Sequence, residues 1–531
     1  MRNARPSALT LGFCSLTLAL VLAGCSTTPA PQVSPAGGHV TAQALKYLPA
    51  SRTELAAVVR LKAGETKSQV EQRIGGQVVD LESDAGFAVM GLSQATLDDL
   101  RNSGATADLV DVEPNKGTVG LPESLTGSPV GQAYLEGGLV AWSGGGLPAW
   151  SGGGLPAWSG GGIPAWSGGG LVAWSGGASA FTGPSIAYDQ GGLPAWSGGG
   201  LPAWSGGGLP AWSGGGLPAW SGGNATVPGN NHTWDQIHLG AAWLAAPKLG
   251  QGVTVAVVDT GVDTAHAAFG DPSLTFTPAS TWRDFVDNDN TPQDGTWPDG
   301  TAGNGWGHGT GVTGTLLQVA PAAKILPLRA LNPDGWGDVT DVAQAIGYAV
   351  RQGVQVIHLS LGVDESSVVD RMVKLATGKG IYVVASAGNT GNQNVTYPAQ
   401  DTLNGGTTGA LTLAVASVDA RDALSVFSAR GAAISLTAPG EFVWTPAPGN
   451  LQAYWSGTSF AAPMATGALA LGLAQNPTLG KTGLNARLLA ATTDDLAATN
   501  PGQAGQMGRG RLNVENYVKA VNTLNLTQLF R

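Results

Sequence analysis

The second half of the chain predicts an α/β fold, a parallel sheet with helices on both faces, and three observations carry it. Strand-like apolar runs alternate with helical runs between residues 231 and 531. The run Val253-Thr254-Val255-Ala256-Val257-Val258 ends in Asp259, Thr260 and Gly261, the pattern of a buried parallel strand stopping at a carboxylate and a turn. A small-residue turn at Gly457-Thr458-Ser459 leads into an apolar, alanine-rich run from Met464 to Leu473, which reads as a buried helix starting at or near Ser459. Strand candidates are 253–259, 324–329, 354–361, 381–386 and 411–417. Helix candidates are 339–352, 366–377, 459–474 and 512–524.

Three of these segments each deliver one reactive side chain. Asp259 stands at the C-terminal end of its strand, where ligands and chemistry gather in open α/β sheets; a helix N-cap is the ordinary fate of such an aspartate. His308 lies in Gly305-Trp306-Gly307-His308-Gly309-Thr310-Gly311, whose glycines leave room for the ring to face a cleft. Of the six histidines (His39, His232, His238, His266, His308 and His358), only His308 has such a setting. Ser459 at a helix N-terminus sits at the positive end of the dipole, among free N–H groups. That suits a hydroxyl carrying negative charge through a transition state, although Gly-Thr-Ser alone would be a simple cap. In the order Asp, His, Ser the three match one known order of the serine-protease triad.

From about Trp234 to Leu524 the chain resembles a subtilisin-family (subtilase, peptidase S8) serine endopeptidase domain. The likeness rests on the heptapeptide Gly457-Thr458-Ser459-Phe460-Ala461-Ala462-Pro463 and the Asp259 and His308 segments. It extends to Val319-Ala320-Pro321 with Lys324 to Arg329, Ser360-Leu361-Gly362, Ser386-Ala387-Gly388-Asn389, Phe427-Ser428 and Ala438-Pro439-Gly440. The resemblance implies Ser459 as nucleophile, His308 as the base that later becomes the acid, and Asp259 as the group holding the His308 tautomer. It implies Asn389 as the side-chain oxyanion donor, together with the Ser459 N–H; without it, Gly388-Asn389 reads as turn chemistry. Ser360, Leu361 and Gly362 would pair with an extended protein or peptide substrate, and Ser386, Ala387 and Gly388 would form the facing wall. His358, inside the same strand, takes a structural role.

Departures from the family pattern are specific. Gly311 stands where the family usually has a second histidine and Met464 where it often has another, which predicts altered packing rather than lost chemistry. The short passage from Thr315 to Pro321, and Ala268 in place of an aspartate, argue against one family calcium site. The stretch from Asp284 through Asp294 and Asp299 is rich in oxygen ligands but fits no defined calcium loop, and reads as a solvated acidic surface. No cofactor is required for the chemistry; a structural calcium stays open, with no metal ligands assigned.

Of the 531 residues only 12% are charged, 82 are glycine, and the net charge is −10, which argues against nucleic acid as a partner. Arg2 and Arg5 precede an apolar run from Ala8 to Ala23, a signal-peptide pattern over residues 1–24. Leu22-Ala23-Gly24-Cys25 resembles a bacterial lipobox, implying export and a lipid anchor on Cys25 at the membrane of the cell envelope. The two cysteines are Cys14, inside the signal, and Cys25, so the mature protein is expected to lack a disulfide.

Residues 25–53 form a polar spacer, and 54–115 read as a small α+β unit with strands near 55–61, 86–92 and 108–114. Its order and its Val112-Glu113-Pro114 ending resemble the inhibitory, ferredoxin-like propeptide domain of secreted subtilases. Within the linker at residues 116–230, Gly-Gly-Leu-Pro-Ala-Trp-Ser-Gly recurs with a period of eight in two blocks, one marked by Trp142, Trp150, Trp158, Trp166 and Trp174 and the other by Trp196, Trp204, Trp212 and Trp220, with an insert from Ala178 to Gln190 between them. An even period can align every tryptophan on one side of an extended chain, as a binding ladder; the composition equally describes a Gly-rich tether. The expected function is an exported serine endopeptidase made as a self-inhibited precursor. The alternative is a cell-surface interaction protein that uses the Trp repeats.

Overall fold

Residues 53–115, 119–120, 230–363, 365–481 and 483–529 are described by the structure, a computed structural model, and all fall within one unit of the chain, Gly38–Arg531. The signal-peptide, Cys25 and tryptophan-repeat expectations lie outside the described residues. Among the described residues no helix is long and apolar enough to cross a membrane.

The small domain runs β1 (Leu55–Arg60), α1 (Lys67–Ile74), β2 (Gln77–Glu82), β3 (Phe87–Leu92), α2 (Gln94–Ser103) and β4 (Leu109–Pro114). Its antiparallel sheet has the order β2-β3-β1-β4, a ferredoxin-like arrangement. Local signals start and stop the helices. Thr66 and Gln69 form a capping box ahead of α1, Ser93 accepts the Thr96 N–H ahead of α2, and left-handed Gly75 and Gly104 end them. Ala57, Val59, Ala88 and Met90 face Val70, Ile74 and Leu100 across the helical side. The alternate residues Ala56, Val58, Phe87 and Val89 pack on the larger domain. Strand β2 was not expected. A register shift between Val78 and Asp80 turns Asp80 and Glu82 toward the larger domain, and these buried acids break the apolar alternation that betrays a strand.

The larger domain is built on a parallel sheet of β6 (Thr254–Asp259), β7 (Arg283–Asp284), β8 (Lys324–Arg329), β10 (Val356–Leu359), β11 (Tyr382–Ser386), β12 (Thr412–Val418) and β13 (Leu436–Pro439). The seven strands lie in the order β13-β12-β11-β10-β6-β8-β7. The major helices are α3 (His308–Val319), α4 (Val339–Arg351), α5 (Ser367–Gly378), α6 (Thr458–Gln475) and α7 (Val514–Leu529). Val255, Val257 and Ile325 join Leu316, Leu469 and Tyr517 in one core. Ala256, Val258 and Leu326, one residue out of phase, join Ile346 and Met372 in the other. Both faces are therefore covered, as uninterrupted apolar strands require. The chain steps from β6 to β8 on one side and returns to β10 on the other, so the crevice at the sheet's switch point opens beyond Asp259 and Leu359. The fold is the subtilisin-like α/β architecture with a small α+β domain ahead of it.

Candidate active site

Asp259, His308 and Ser459 arrive from the end of β6, the first turn of α3 and the first turn of α6. His308 Nδ1 and Asp259 Oδ1 are 2.7 Å apart, and both residues are at most 1% exposed. With a carboxylate as acceptor, Nδ1 carries the proton, so Nε2 is the basic nitrogen. Nε2 is buried and has no hydrogen-bond partner among the described residues. Helix α3 can come this close because of Gly309: a Cβ there would lie 2.1 Å from the Gly261 carbonyl oxygen and 3.1 Å from Asp259 Cβ. No helix is expected from the glycine-rich sequence around His308, yet all of α3 is buried, and its small residues let it run through the core.

The His308 ring lies edge-on to Trp455 and Phe460, whose rings stack 4.9 Å apart. These two rings fill the space opposite Gly311, where a Cβ would come within 3.1 Å of both. Met464 is fully buried in the adjacent core. Ser459 lies between Thr458 and Phe460 at the start of α6, and its Oγ donates to the Ser360 carbonyl at 3.4 Å. The Ser360 hydroxyl returns a bond of 2.9 Å to the Ser459 carbonyl.

Asn389 lies just beyond the end of β11. Its Oδ1 accepts the Thr458 N–H and the Thr458 hydroxyl, each at 2.9 Å. Its Nδ2 is buried without a partner and is the nearest atom to the space a side chain on Gly457 would take. An amide donor anchored through its oxygen and left unsatisfied beside the Ser459 turn is poised for an acceptor that is not part of the fold.

Ser360, Leu361 and Gly362 follow β10, and Ser386, Ala387 and Gly388 close β11. Between them runs the chain at Thr396, whose N–H bonds the Ala387 carbonyl at 3.1 Å and whose side chain abuts Gly362 and Gly388. The Thr458 hydroxyl accepts the Gly388 N–H at 3.2 Å.

Two features were not legible beforehand. Asp294, expected on a solvated acidic surface, is 1% exposed, and this corrects that reading. Its Oδ1 accepts the Gly307 N–H at 2.9 Å and the Thr260 hydroxyl at 3.2 Å, and its Oδ2 accepts the Thr310 N–H at 3.0 Å and hydroxyl at 2.7 Å. It thus ties the first turn of α3 to the residue after Asp259. Burial raises its pKa to about 6, against the pull of the Thr310 hydroxyl. The second feature is β9 (Trp336–Gly337), which pairs antiparallel with β5 (Val119–Gly120), beyond the small domain. The turn before β9 packs on the loop leading to His308, where the Gly305 N–H bonds the Pro333 carbonyl at 2.8 Å.

Asp284 is also buried, turned onto Arg329 at 2.6 Å, with Asp287 on the same guanidinium at 2.5 Å. Asp289 and Asp299 accept N–H groups of their own turns. These carboxylates do not converge, and among the described residues no group of three or more His, Cys, Asp or Glu is placed to hold a metal.

The small domain docks through acids. Glu113 accepts the Ser367 N–H at 3.0 Å and bonds the Ser366 hydroxyl, at the N-terminus of α5. Asn115 Oδ1 accepts the Thr340 N–H at 3.0 Å, and its carbonyl the Val339 N–H, at the N-terminus of α4. Asp80 and Glu82 each lie 2.6 Å from Arg351. Gly347 of α4 admits the Asp80 carboxylate, since a Cβ there would be 1.9 Å from Asp80 Oδ2. Burial pushes Asp80 up to about 7 despite Arg351.

The buried His308–Asp259 pair and the serine at the head of α6 belong to a chain whose similarities to known proteins point to one hydrolase class. The family model described as "Subtilase family" matches residues 250–510. Thermitase of Thermoactinomyces vulgaris is 36% identical over 289 residues, covering 54% of this chain and 94% of that protein. Subtilisin BL of Lederbergia lenta is 33% identical over 276 residues, covering 50% and 90%. A thermophilic serine proteinase of Bacillus sp. (strain AK1) is 39% identical over 225 residues, covering 41% and 52%. The chain belongs to the subtilase family and is a subtilisin-like serine endopeptidase.

Proposed function

We propose that the chain hydrolyses peptide bonds by a triad of Ser459, His308 and Asp259, and that it is made as an exported, self-inhibited precursor. The observation that carries the triad is the buried 2.7 Å contact of His308 Nδ1 with Asp259, which leaves Nε2 basic and unpartnered. Ser459 turns from the Ser360 carbonyl toward Nε2, gives up its proton there, and attacks the substrate carbonyl. Asn389 Nδ2 and the Ser459 N–H receive the oxyanion. His308 then protonates the leaving amine, and water repeats the sequence to free the acyl group. Ser360, Leu361 and Gly362 offer backbone to an extended substrate, with Ser386, Ala387 and Gly388 opposite.

The small domain, residues 54–115, acts as the inhibitor. Its support is the capping of α4 and α5 by Asn115 and Glu113, and the pairing of Val119 and Gly120 with the β9 edge beside the His308 loop. Export, and anchoring by lipid on Cys25, rest on the Leu-Ala-Gly-Cys sequence after the apolar leader. The repeat region, 116–230, links inhibitor to enzyme.

The test is labelling of a chain lacking residues 1–25 with a fluorophosphonate probe, wild type beside Ser459→Ala, with the mass of the processed chain followed. Labelling at Ser459 and self-processing, both lost in the variant, are expected. A folded, processed wild type that takes no label would overturn the proposal.

A further inference from the structure

Pro463 lies inside α6, four residues after Ser459. A helical carbonyl normally receives the N–H four residues on, and proline has none. The Ser459 carbonyl is therefore without its helical donor, and the Ser360 hydroxyl replaces it at 2.9 Å. A hydroxyl has one proton. Having given it to Ser459, Ser360 Oγ must accept from its other neighbour, His358 Nε2, at 2.8 Å. Nε2 then carries the proton of the neutral ring and Nδ1 is an acceptor, 2.8 Å from Thr466 Oγ1. The Thr466 hydroxyl also lies 3.1 Å from the Ala462 carbonyl. That carbonyl already has the Thr466 main-chain N–H of the helix, so the single hydroxyl proton serves Nδ1. Every acceptor along the line is then satisfied. The other tautomer would draw the Ser360 proton onto Nε2 and leave the Ser459 carbonyl bare in a buried site.

We propose that His358 is a positioning residue of the active site. Through its Nε2–H it orients the Ser360 hydroxyl, which holds the Ser459 carbonyl, and with it the main chain carrying the nucleophile and the Ser459 N–H. The ring is fully buried, and burial, with a further contribution from neighbouring His308, pushes its pKa down to about 3, which keeps it neutral. The proposal rests on the reading of Ser459 as the nucleophile.

Two measurements test it. The first is ¹⁵N-histidine NMR of the full chain carrying Ser459→Ala to prevent self-digestion, the His358 signal assigned by its loss in His358→Gln. The Nε2–H tautomer is expected; Nδ1–H overturns the proposal. The second compares steady-state hydrolysis of a peptide nitroanilide by wild type, His358→Leu and His358→Gln, normalised to sites titrated with the fluorophosphonate probe. Leu keeps the volume and loses the donor, so kcat falls about tenfold with KM unchanged. Gln places an N–H near the Nε2 position and restores kcat to within about twofold. Wild-type kcat in the Leu variant, or no recovery with Gln, overturns it. Should neither variant fold, the wild-type-ring tautomer decides alone. Failure of wild type to label at Ser459 would instead sink the nucleophile assignment, leaving the tautomer result standing.

Discussion

Asn389 holds Thr458 by two bonds of 2.9 Å to one oxygen, and its amide nitrogen borders the space beside Gly457 that the Ser459 N–H also borders. The anchor and the donor are the two ends of a single side-chain amide. Replacing Asn389 by Ala removes both, and kcat is expected to fall by about 10²–10³, roughly 3–4 kcal/mol of barrier, with KM nearly unchanged. Thr458→Val keeps the main-chain anchor and loses only the hydroxyl, so its loss is smaller, about tenfold. Steady-state kinetics on a peptide nitroanilide distinguishes them; a large rise in KM with intact kcat would contradict the oxyanion assignment.

Asp294 receives four hydrogen bonds, two on each oxygen, with α3 at one end and Thr260 at the other. Asparagine keeps one acceptor oxygen and points N–H groups at donors on the other side. Asp294→Asn is expected to cost about 1–3 kcal/mol of stability, measured by chemical unfolding in a Ser459→Ala background. In the active chain it lowers kcat as His308 loosens. Full activity and stability would show that the tie is dispensable.

Gly311 faces the Trp455–Phe460 stack with no room for a side chain. A histidine introduced by Gly311→His therefore overpacks the site. A destabilisation of about 1–3 kcal/mol is expected, read as a lower melting temperature. Equal or higher stability would mean that the rings give way.

Acid stability follows from His358. Its pKa falls from 6.5 to about 3 on folding, because burial and His308 disfavour the charged ring. The unfolded chain thus binds the proton more tightly, so this contribution is present above pH 6.5 and is lost as pH falls toward 3. Asp294, raised from 3.8 to about 6, has the opposite sign: its share is present below 3.8 and lost as pH rises through 6. Unfolding free energies from pH 4 to 7 are expected to rise less steeply with pH in His358→Gln than in its parent, both carrying Ser459→Ala. Identical slopes would contradict this.

Most of the large elements were legible because burial on both sheet faces leaves simple apolar runs. The expected strands at 253–259 and 324–329 match β6 and β8 to within a residue, and the expected helix at 459–474 matches α6. Strand β9, two residues long, has no period to detect. Strand β2 hides behind Asp80 and Glu82, and the hairpin of β14 (Val443–Ala447) and β15 (Leu451–Trp455) was also missed. Asp259, His308 and Ser459 stood out because their neighbours are glycines and small residues, whereas Asn389 was reached only through the family resemblance, since Gly388-Asn389 alone reads as a turn. Asp294 did not, because it lies thirteen residues before the Gly307 N–H it binds, and nothing local distinguishes a carboxylate that folds inward from one that stays in water.

The absent side chain at Gly347 has a consequence for engineering. The enzyme's grip on its leading domain is moulded partly by a missing methyl group on α4, on the surface where Asp80 seats and apart from the residues of catalysis. A methyl placed there would push against the carboxylate through which the small domain meets α4. The fit between the two domains could thus be tuned one atom at a time, through a helix that carries neither His308 nor Ser459.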